Sequence, residues 1–223
     1  MKVPQIALAL DGMSDAEALA MVDRIGPDLV MCKVGLELFT RYGPPLVAAL
    51  RQKGKDVFLD TKYHDIPATV AGAVRAASGL GVHLLTIHGC GGEEMMKAAV
   101  EGRGEAEAKL LAVTQLTSLA GEGVEGRVLR IAREAREAGM DGVVASAHEA
   151  ARIKALGGPG FLVATPGIRP KGAERHDQAR SATPAEAARA GADYLVVGRP
   201  VTRASDPAAV FRGILEEVRL ARE

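Results

Sequence analysis

Asp60-Thr61-Lys62-Tyr63-His64-Asp65 puts a carboxylate, an ammonium and a second carboxylate within six positions, directly after the apolar run Val57-Phe58-Leu59. Residues two apart on a strand share a face, so Asp60 and Lys62 are expected to point the same way, with Asp65 at the entrance to the next helix. Gathering these charges at a strand terminus costs desolvation. Such a group at a strand end marks chemistry.

Two further stretches suit an anion. Thr165-Pro166-Gly167-Ile168-Arg169-Pro170 and Val197-Gly198-Arg199-Pro200 each couple a glycine to an arginine. Glycine lets backbone N–H groups approach an anion closely, and arginine adds a two-pronged donor. The segment from Gly167 to Ala182 is long, nearly free of apolar side chains, and carries Arg169, Lys171, Arg175, Gln178 and Arg180. It reads as a mobile loop closing over a phosphate, with Arg169 and Gln178 as contacts.

The elements that must position these residues are legible as eight apolar runs: Ile6–Leu10, Leu29–Val34, Val57–Leu59, Val82–Ile87, Leu110–Val113, Gly142–Ala145, Phe161–Ala164 and Tyr194–Val197. They lack polar alternation, as strands buried on both faces do. Between them lie amphipathic or Ala-rich segments with helix-start signals. Ser14-Asp15-Ala16-Glu17 and Thr183-Pro184-Ala185-Glu186 are capping boxes, and Asp206-Pro207 opens the last helix in the same style. Eight such units in 223 residues predict a single (β/α)8 barrel domain spanning residues 1–223. A doubly wound sheet is the alternative; eight regular repeats without a break favour closure. Barrel active sites lie at the C-terminal ends of the strands. Asp11, Lys33, Asp60, Lys62, His88, Thr117, Arg169 and Arg199 all fall at or just after predicted strand ends, and the two Gly-Arg loops follow the seventh and eighth strands, the usual phosphate site of this fold.

Composition narrows the class. Lys plus Arg and Asp plus Glu both number 28, so no net charge argues for nucleic acid or an anionic membrane as partner. No apolar stretch approaches the roughly 18 residues a membrane span needs, and Met1-Lys2-Val3-Pro4 lacks the features of a signal peptide. Cys32 and Cys90 have no metal-type spacing and read as reduced thiols in a cytoplasmic protein. Asn and Trp are absent, which fits a heat-tolerant source or a GC-rich genome.

Taken together, these stretches resemble the orotidine 5′-phosphate decarboxylase family. Its Asp-x-Lys-x-x-Asp-Ile pattern appears as Asp60-Thr61-Lys62-Tyr63-His64-Asp65-Ile66, continuing Pro67-Ala68-Thr69. Ala9-Leu10-Asp11, Lys33-Val34-Gly35, Val113-Thr114-Gln115-Leu116-Thr117-Ser118, Thr165-Pro166-Gly167-Ile168-Arg169 and Asp177-Gln178-x-Arg180 are similar to further signatures. So is Gly191-Ala192-Asp193-Tyr194-Leu195-Val196-Val197-Gly198-Arg199-Pro200. The resemblance implies a homodimeric barrel converting orotidine 5′-phosphate to uridine 5′-phosphate and carbon dioxide in pyrimidine synthesis, with no cofactor and no metal. It implies Lys62 as proton donor at C6, Asp60 beside the substrate carboxylate, and Lys33 bridging Asp60 and the ribose. Asp65 would reach across the dimer to complete a Lys-Asp-Lys-Asp array, with Ile66 and Thr69 nearby. Asp11 would bind a ribose hydroxyl, Thr117 a pyrimidine edge, and Pro166, Arg169, Gln178, Gly198 and Arg199 would form the phosphate end.

Two other readings compete. A related lyase of the same suprafamily would use the third-strand motif to hold magnesium with an enediolate; the phosphate loop argues against it. A barrel kept only as a nucleotide-binding dimer is disfavoured by the intact Lys33, Asp60, Lys62 and Asp65. His88 is left outside the site, and His83, His148 and Cys90 read as structural. The charged stretches Glu125–Glu137 and Glu216–Glu223 read as solvated helix faces.

Overall fold

The protein is described by a computed structural model covering residues 3–115, 121, 123–170 and 180–223. Eight parallel strands close into a barrel in chain order. They are β1 (Gln5–Ala9), β2 (Met31–Gly35), β3 (Asp56–Tyr63), β4 (Leu84–His88), β5 (Lys109–Val113), β6 (Gly142–Val144), β7 (Leu162–Thr165) and β8 (Tyr194–Val197), with β8 pairing back onto β1. Helices α1 (Asp15–Ile25), α2 (Leu36–Gln52), α3 (Pro67–Ser78), α4 (Gly92–Arg103), α5 (Val124–Glu137), α6 (Ala147–Gly157), α7 (Pro184–Arg189), α8 (Arg199–Thr202) and α9 (Pro207–Leu220) fill the connections. This is the expected (β/α)8 barrel.

The lack of alternation in the strands has a simple origin: each strand feeds two cores. Ala7, Ala9, Met31, Phe58, Leu84, Leu111, Val113, Val144, Ala164, Tyr194 and Val196 fill the barrel interior. The residues between them, such as Ile6, Leu8, Val57, Leu59, Leu85 and Leu110, point outward under the helices. Both faces are dry, and each fully buried Leu, Val or Phe contributes about 1.5–3 kcal/mol.

The helix starts follow the sequence signals. The Ser14 hydroxyl accepts the Glu17 N–H at 3.2 Å while the Glu17 carboxylate accepts the Ser14 N–H at 2.8 Å. Thr183 and Glu186 repeat this arrangement, and Asp206 accepts the Ala209 N–H at 3.0 Å. Each such cap stabilises its helix by about 1 kcal/mol. Cys32 is fully buried, and burial pushes its thiol up to about 12, which leaves it inert.

β3 departs from expectation. It does not stop at Leu59 but continues to Tyr63, carrying Asp60 and Lys62 inside the strand. Its register against β4 also breaks: Leu59 faces Leu85 and Tyr63 faces Ile87, four steps along β3 against two along β4. Asp60, Thr61 and Lys62 therefore bulge opposite the single residue Thr86. Within the bulge Lys62 takes φ +49°, the one positive φ among the described non-glycine residues.

Candidate active site

The strand ends deliver a row of alternating charge. Asp11, in the turn after β1, is paired with Lys33 of β2, whose Nζ lies 2.9 Å from Asp11 Oδ2. Lys33 Nζ is also 3.4 Å from Asp60 Oδ2, and that same oxygen is 2.8 Å from Lys62 Nζ. The sequence places these residues on three strands; only barrel closure brings them into one line. Two-residue alternation is not what aims Lys62 at Asp60. The bulge turns the backbone into the left-handed region, and the side chain returns to Asp60 from there.

Asp11 is expected to meet a ribose hydroxyl, and Lys33 to bridge Asp60 and the ribose. Lys33 bridges Asp60 and Asp11, so one chain supplies a four-member row by itself. Gly35 makes this possible. A Cβ at Gly35 would sit 2.2 Å from Asp11 Oδ1 and 3.1 Å from Lys33 Nζ, so a larger residue there would force the Asp11 carboxylate to shift.

Burial tunes the row. Lys33 and Asp60 are nearly inaccessible, with 8% and 12% of their side chains exposed, while Asp11 is 51% exposed. Desolvation opposes the Lys33 ammonium, but Asp60 and Asp11 outweigh it and its pKa is raised. Desolvation likewise opposes the Asp60 carboxylate, yet Lys33, Lys62 and hydrogen bonds from Lys62 and Thr86 hold it below the usual range. Both groups are thus fixed in their charged forms at neutral pH.

Asp65 stands apart from the row. It is exposed, and its Oδ1 accepts the Ile66 N–H at 2.7 Å. Ile66 is 66% exposed and Thr69, in the first turn of α3, is exposed as well. Within one chain this segment borders the row without joining it.

A cavity of about 720 Å³ opens beside the charges. Asp11, Lys33, Asp60 and Lys62 form one wall; Ala9, Phe58, Val113, Val144 and Val196 form an apolar floor; Pro166, Gly167, Arg169, Gly198 and Arg199 line the remaining side. Gln115, just past β5, also faces it. The stem of the loop after β7 is tied by a bridge between Ile168 and Ala182, in which the Arg169 N–H donates to Ala182 O at 2.9 Å. Gly167 takes φ +76°, a conformation that favours glycine. Gly198 packs 3.4 Å from the Ala9 side chain, measured from where its Cβ would be, so the β8 end closes against β1. Arg180, at the far end of the loop, pairs with buried Glu149 of α6. Thr117, Gln178, Lys171 and Arg175, and with them most of the expected phosphate-closing loop, lie outside the described residues.

Two contributors escaped the sequence reading. Gly35 was visible only as part of a motif. Thr86 was passed over as one residue of a buried strand, although a hydroxyl inside Leu84-Leu85-Thr86-Ile87 is itself a signal. His88 is half-buried, its imidazole accepts the Cys90 N–H at 3.4 Å, and burial together with His64 and Lys62 lowers its pKa. His83 contacts Tyr194 at 3.3 Å at the opposite end of the barrel. Among the described residues no group of three or more His, Cys, Asp or Glu side chains is arranged to hold a metal ion, and no helix is long and apolar enough to cross a membrane.

Comparison with known proteins gives a consistent picture. Residues 4–214 match the model of the orotidine 5′-phosphate decarboxylase / HUMPS family. The chain is 47% identical to orotidine 5′-phosphate decarboxylase of Sodalis glossinidius, covering 96% of this chain and 89% of that protein. It is 50% identical to the Halorhodospira halophila orotidine 5′-phosphate decarboxylase, covering 98% and 97%. The crystal structure of the Lactobacillus acidophilus orotidine 5′-phosphate decarboxylase superposes with a TM-score of 0.84 at 36% identity, over 97% of this chain and 99% of that one.

Proposed function

The chain belongs to the orotidine 5′-phosphate decarboxylase / HUMPS family, and from that premise we propose that it decarboxylates orotidine 5′-phosphate to uridine 5′-phosphate in pyrimidine synthesis. The observation that carries this reading is the Asp11–Lys33–Asp60–Lys62 row on the wall of a cavity whose far side holds Arg169 and Arg199.

The reaction breaks the bond between C6 and the carboxyl carbon, carbon dioxide leaves, and the electron pair stays on C6. No adjacent π-system takes that charge as an enolate would. Lys62 supplies what is missing: its ammonium faces the developing carbanion and then gives up a proton to C6, leaving a neutral amine that solvent reprotonates. A fixed cation in a water-poor site stabilises such charge far more than water does. Asp60 keeps Lys62 aimed, and Lys33 helps keep Asp60 ionised. Asp11 binds a ribose hydroxyl. Arg169 and Arg199, with Pro166, Gly198 and Gln178, bind the phosphate, and that remote binding energy orients the base over Lys62. Thr117 completes the pyrimidine edge. The chemistry needs neither metal nor cofactor.

The reading includes a cytoplasmic homodimer of a single catalytic domain. Leu36 and Ile66, 55% and 66% exposed, follow adjacent strands at the active-site end and suit burial against a second copy. The exposed Asp65 would then meet the partner's row.

The test is to incubate EDTA-treated protein with orotidine 5′-phosphate and follow its ultraviolet absorbance. Rapid conversion to uridine 5′-phosphate is expected. No conversion by folded protein, with turnover of a pentulose phosphate on adding magnesium, would replace this reading with the related lyase.

A further inference from the structure

Lys62 presents a problem that its own strand does not solve. A non-glycine residue in the left-handed region is strained and persists only where its surroundings hold it. The bulge also removes the Lys62 N–H from the regular ladder with β4. Thr86, the one β4 residue facing the bulge, answers both needs. Its Oγ1 accepts the Lys62 N–H at 2.9 Å, and its hydroxyl donates to Asp60 Oδ1 at 3.0 Å. Thr86 is fully buried. The direction of both bonds is fixed by chemistry: an amide N–H only donates, so the hydroxyl proton must point at the carboxylate.

This leaves Asp60 with a division of labour. Oδ1 is held by Thr86, while Oδ2 is turned toward Lys33 and Lys62. One hydroxyl therefore couples the backbone that carries the cation to the carboxylate that aims it.

We propose that Thr86 is a positioning residue for the decarboxylation, fixing both the strained Lys62 backbone and the Asp60 carboxylate through a single hydroxyl. The proposal rests on the decarboxylase reading for its kinetic consequence. Thr86 is fully buried and does not line the cavity, so it acts through Lys62 and Asp60.

Thr86→Val keeps the shape and removes both hydrogen bonds, and Thr86→Ser keeps both. In Thr86→Val, kcat is expected to fall roughly 10²-fold, the scale of a misplaced catalytic group, while uridine 5′-phosphate affinity changes less than about threefold. Thr86→Ser is expected to recover kcat to within about fivefold of the parent. Protection of the Lys62 amide from hydrogen exchange should drop in the Val variant and be retained in the Ser variant. Should Thr86→Val fail to fold, Thr86→Ala is read by the same criteria. A kcat within twofold of the parent in the variant without the hydroxyl overturns the proposal. So does a parallel loss of nucleotide affinity, which would mean general damage. If the parent itself does not turn over orotidine 5′-phosphate, the decarboxylase reading fails, and unchanged Lys62 amide protection in the variant then separately overturns the positioning role.

Discussion

At the N-terminal end of the barrel, Asp193 accepts the Val163 N–H at 2.8 Å and faces Lys154 Nζ at 2.9 Å, and that ammonium also donates to Phe161 O at 2.8 Å. Asp141 does the same work one pair of strands away, accepting the Leu110 N–H at 2.8 Å and pairing with Arg103 and Lys109. At the C-terminal end the same residue types meet, but Asp60 is surrounded by Lys33, Lys62 and a threonine hydroxyl, with no backbone donor among the described residues. In the first region backbone N–H groups complete the carboxylates, so the charges fasten strand to strand and helix. In the second, charge is answered mainly by charge, under near-complete burial and beside an open cavity. Such an arrangement gives little net stability. The difference separates ion pairs that hold the barrel from ion pairs that the barrel holds.

The comparison can be broken most decisively at Lys62. Lys62→Ala should lower kcat by roughly 10⁴-fold, the upper range for a positioned proton donor, while leaving much of the nucleotide affinity. Near-normal turnover in steady-state assays would remove Lys62 from the chemistry. Isolated heterodimers of a Lys62→Ala and an Asp65→Ala subunit should show about half the parent activity, because one of two shared sites is then intact; confirmed heterodimers without activity would mean self-contained sites. A step smaller, Arg199→Ala should raise KM roughly 10²-fold through loss of charge-assisted phosphate contacts, and should barely affect a substrate lacking the phosphate. Equal losses on both substrates would contradict a phosphate role.

At the opposite end the effect should reverse in kind. Asp193→Ala strands Lys154 and the Val163 N–H, so denaturant unfolding should show a loss of about 2 kcal/mol while kcat stays within about twofold. A variant with parental stability and reduced kcat would erase the distinction between the two ends. The smallest expected effect concerns pH. Asp60 titrates below its ordinary 3.8, so its contribution to stability is complete above that value and is lost only as pH falls through the lower folded pKa. Lys33 titrates above 10.5, so its contribution is complete below that value and is lost as pH rises through the higher folded pKa. The stability difference between the parent and Lys33→Met should therefore be flat between about pH 5 and 9, and a slope there in denaturant titrations would mean that the row titrates.

Much of the molecule was legible because its determinants are local. The eight apolar runs, the caps at Ser14, Thr183 and Asp206, and the charges at strand ends each depend on neighbours a few positions away, so spacing alone carried them. The placement of Asp11, Lys33, Asp60 and Lys62 at one rim followed from barrel topology. The extent of β3 is not legible in sequence because a strand that bulges does not look like a strand: its polar end reads as a loop. Asp60 and Lys62 were expected together for the wrong reason, alternation, when a left-handed residue brings them together.

By itself, then, the sequence determined the order of strands and helices, the rim on which the charges gather, and the family to which they belong, since these rest on periodicity, capping and motif order along the chain. Only the tertiary structure decided that Lys33 spans two carboxylates, that Gly35 lies against the Asp11 carboxylate, and that Thr86 faces the bulge 24 residues from the lysine it holds. The reason is register: which atoms of neighbouring strands lie opposite one another is set by closure of the whole barrel, and no local stretch of chain contains it.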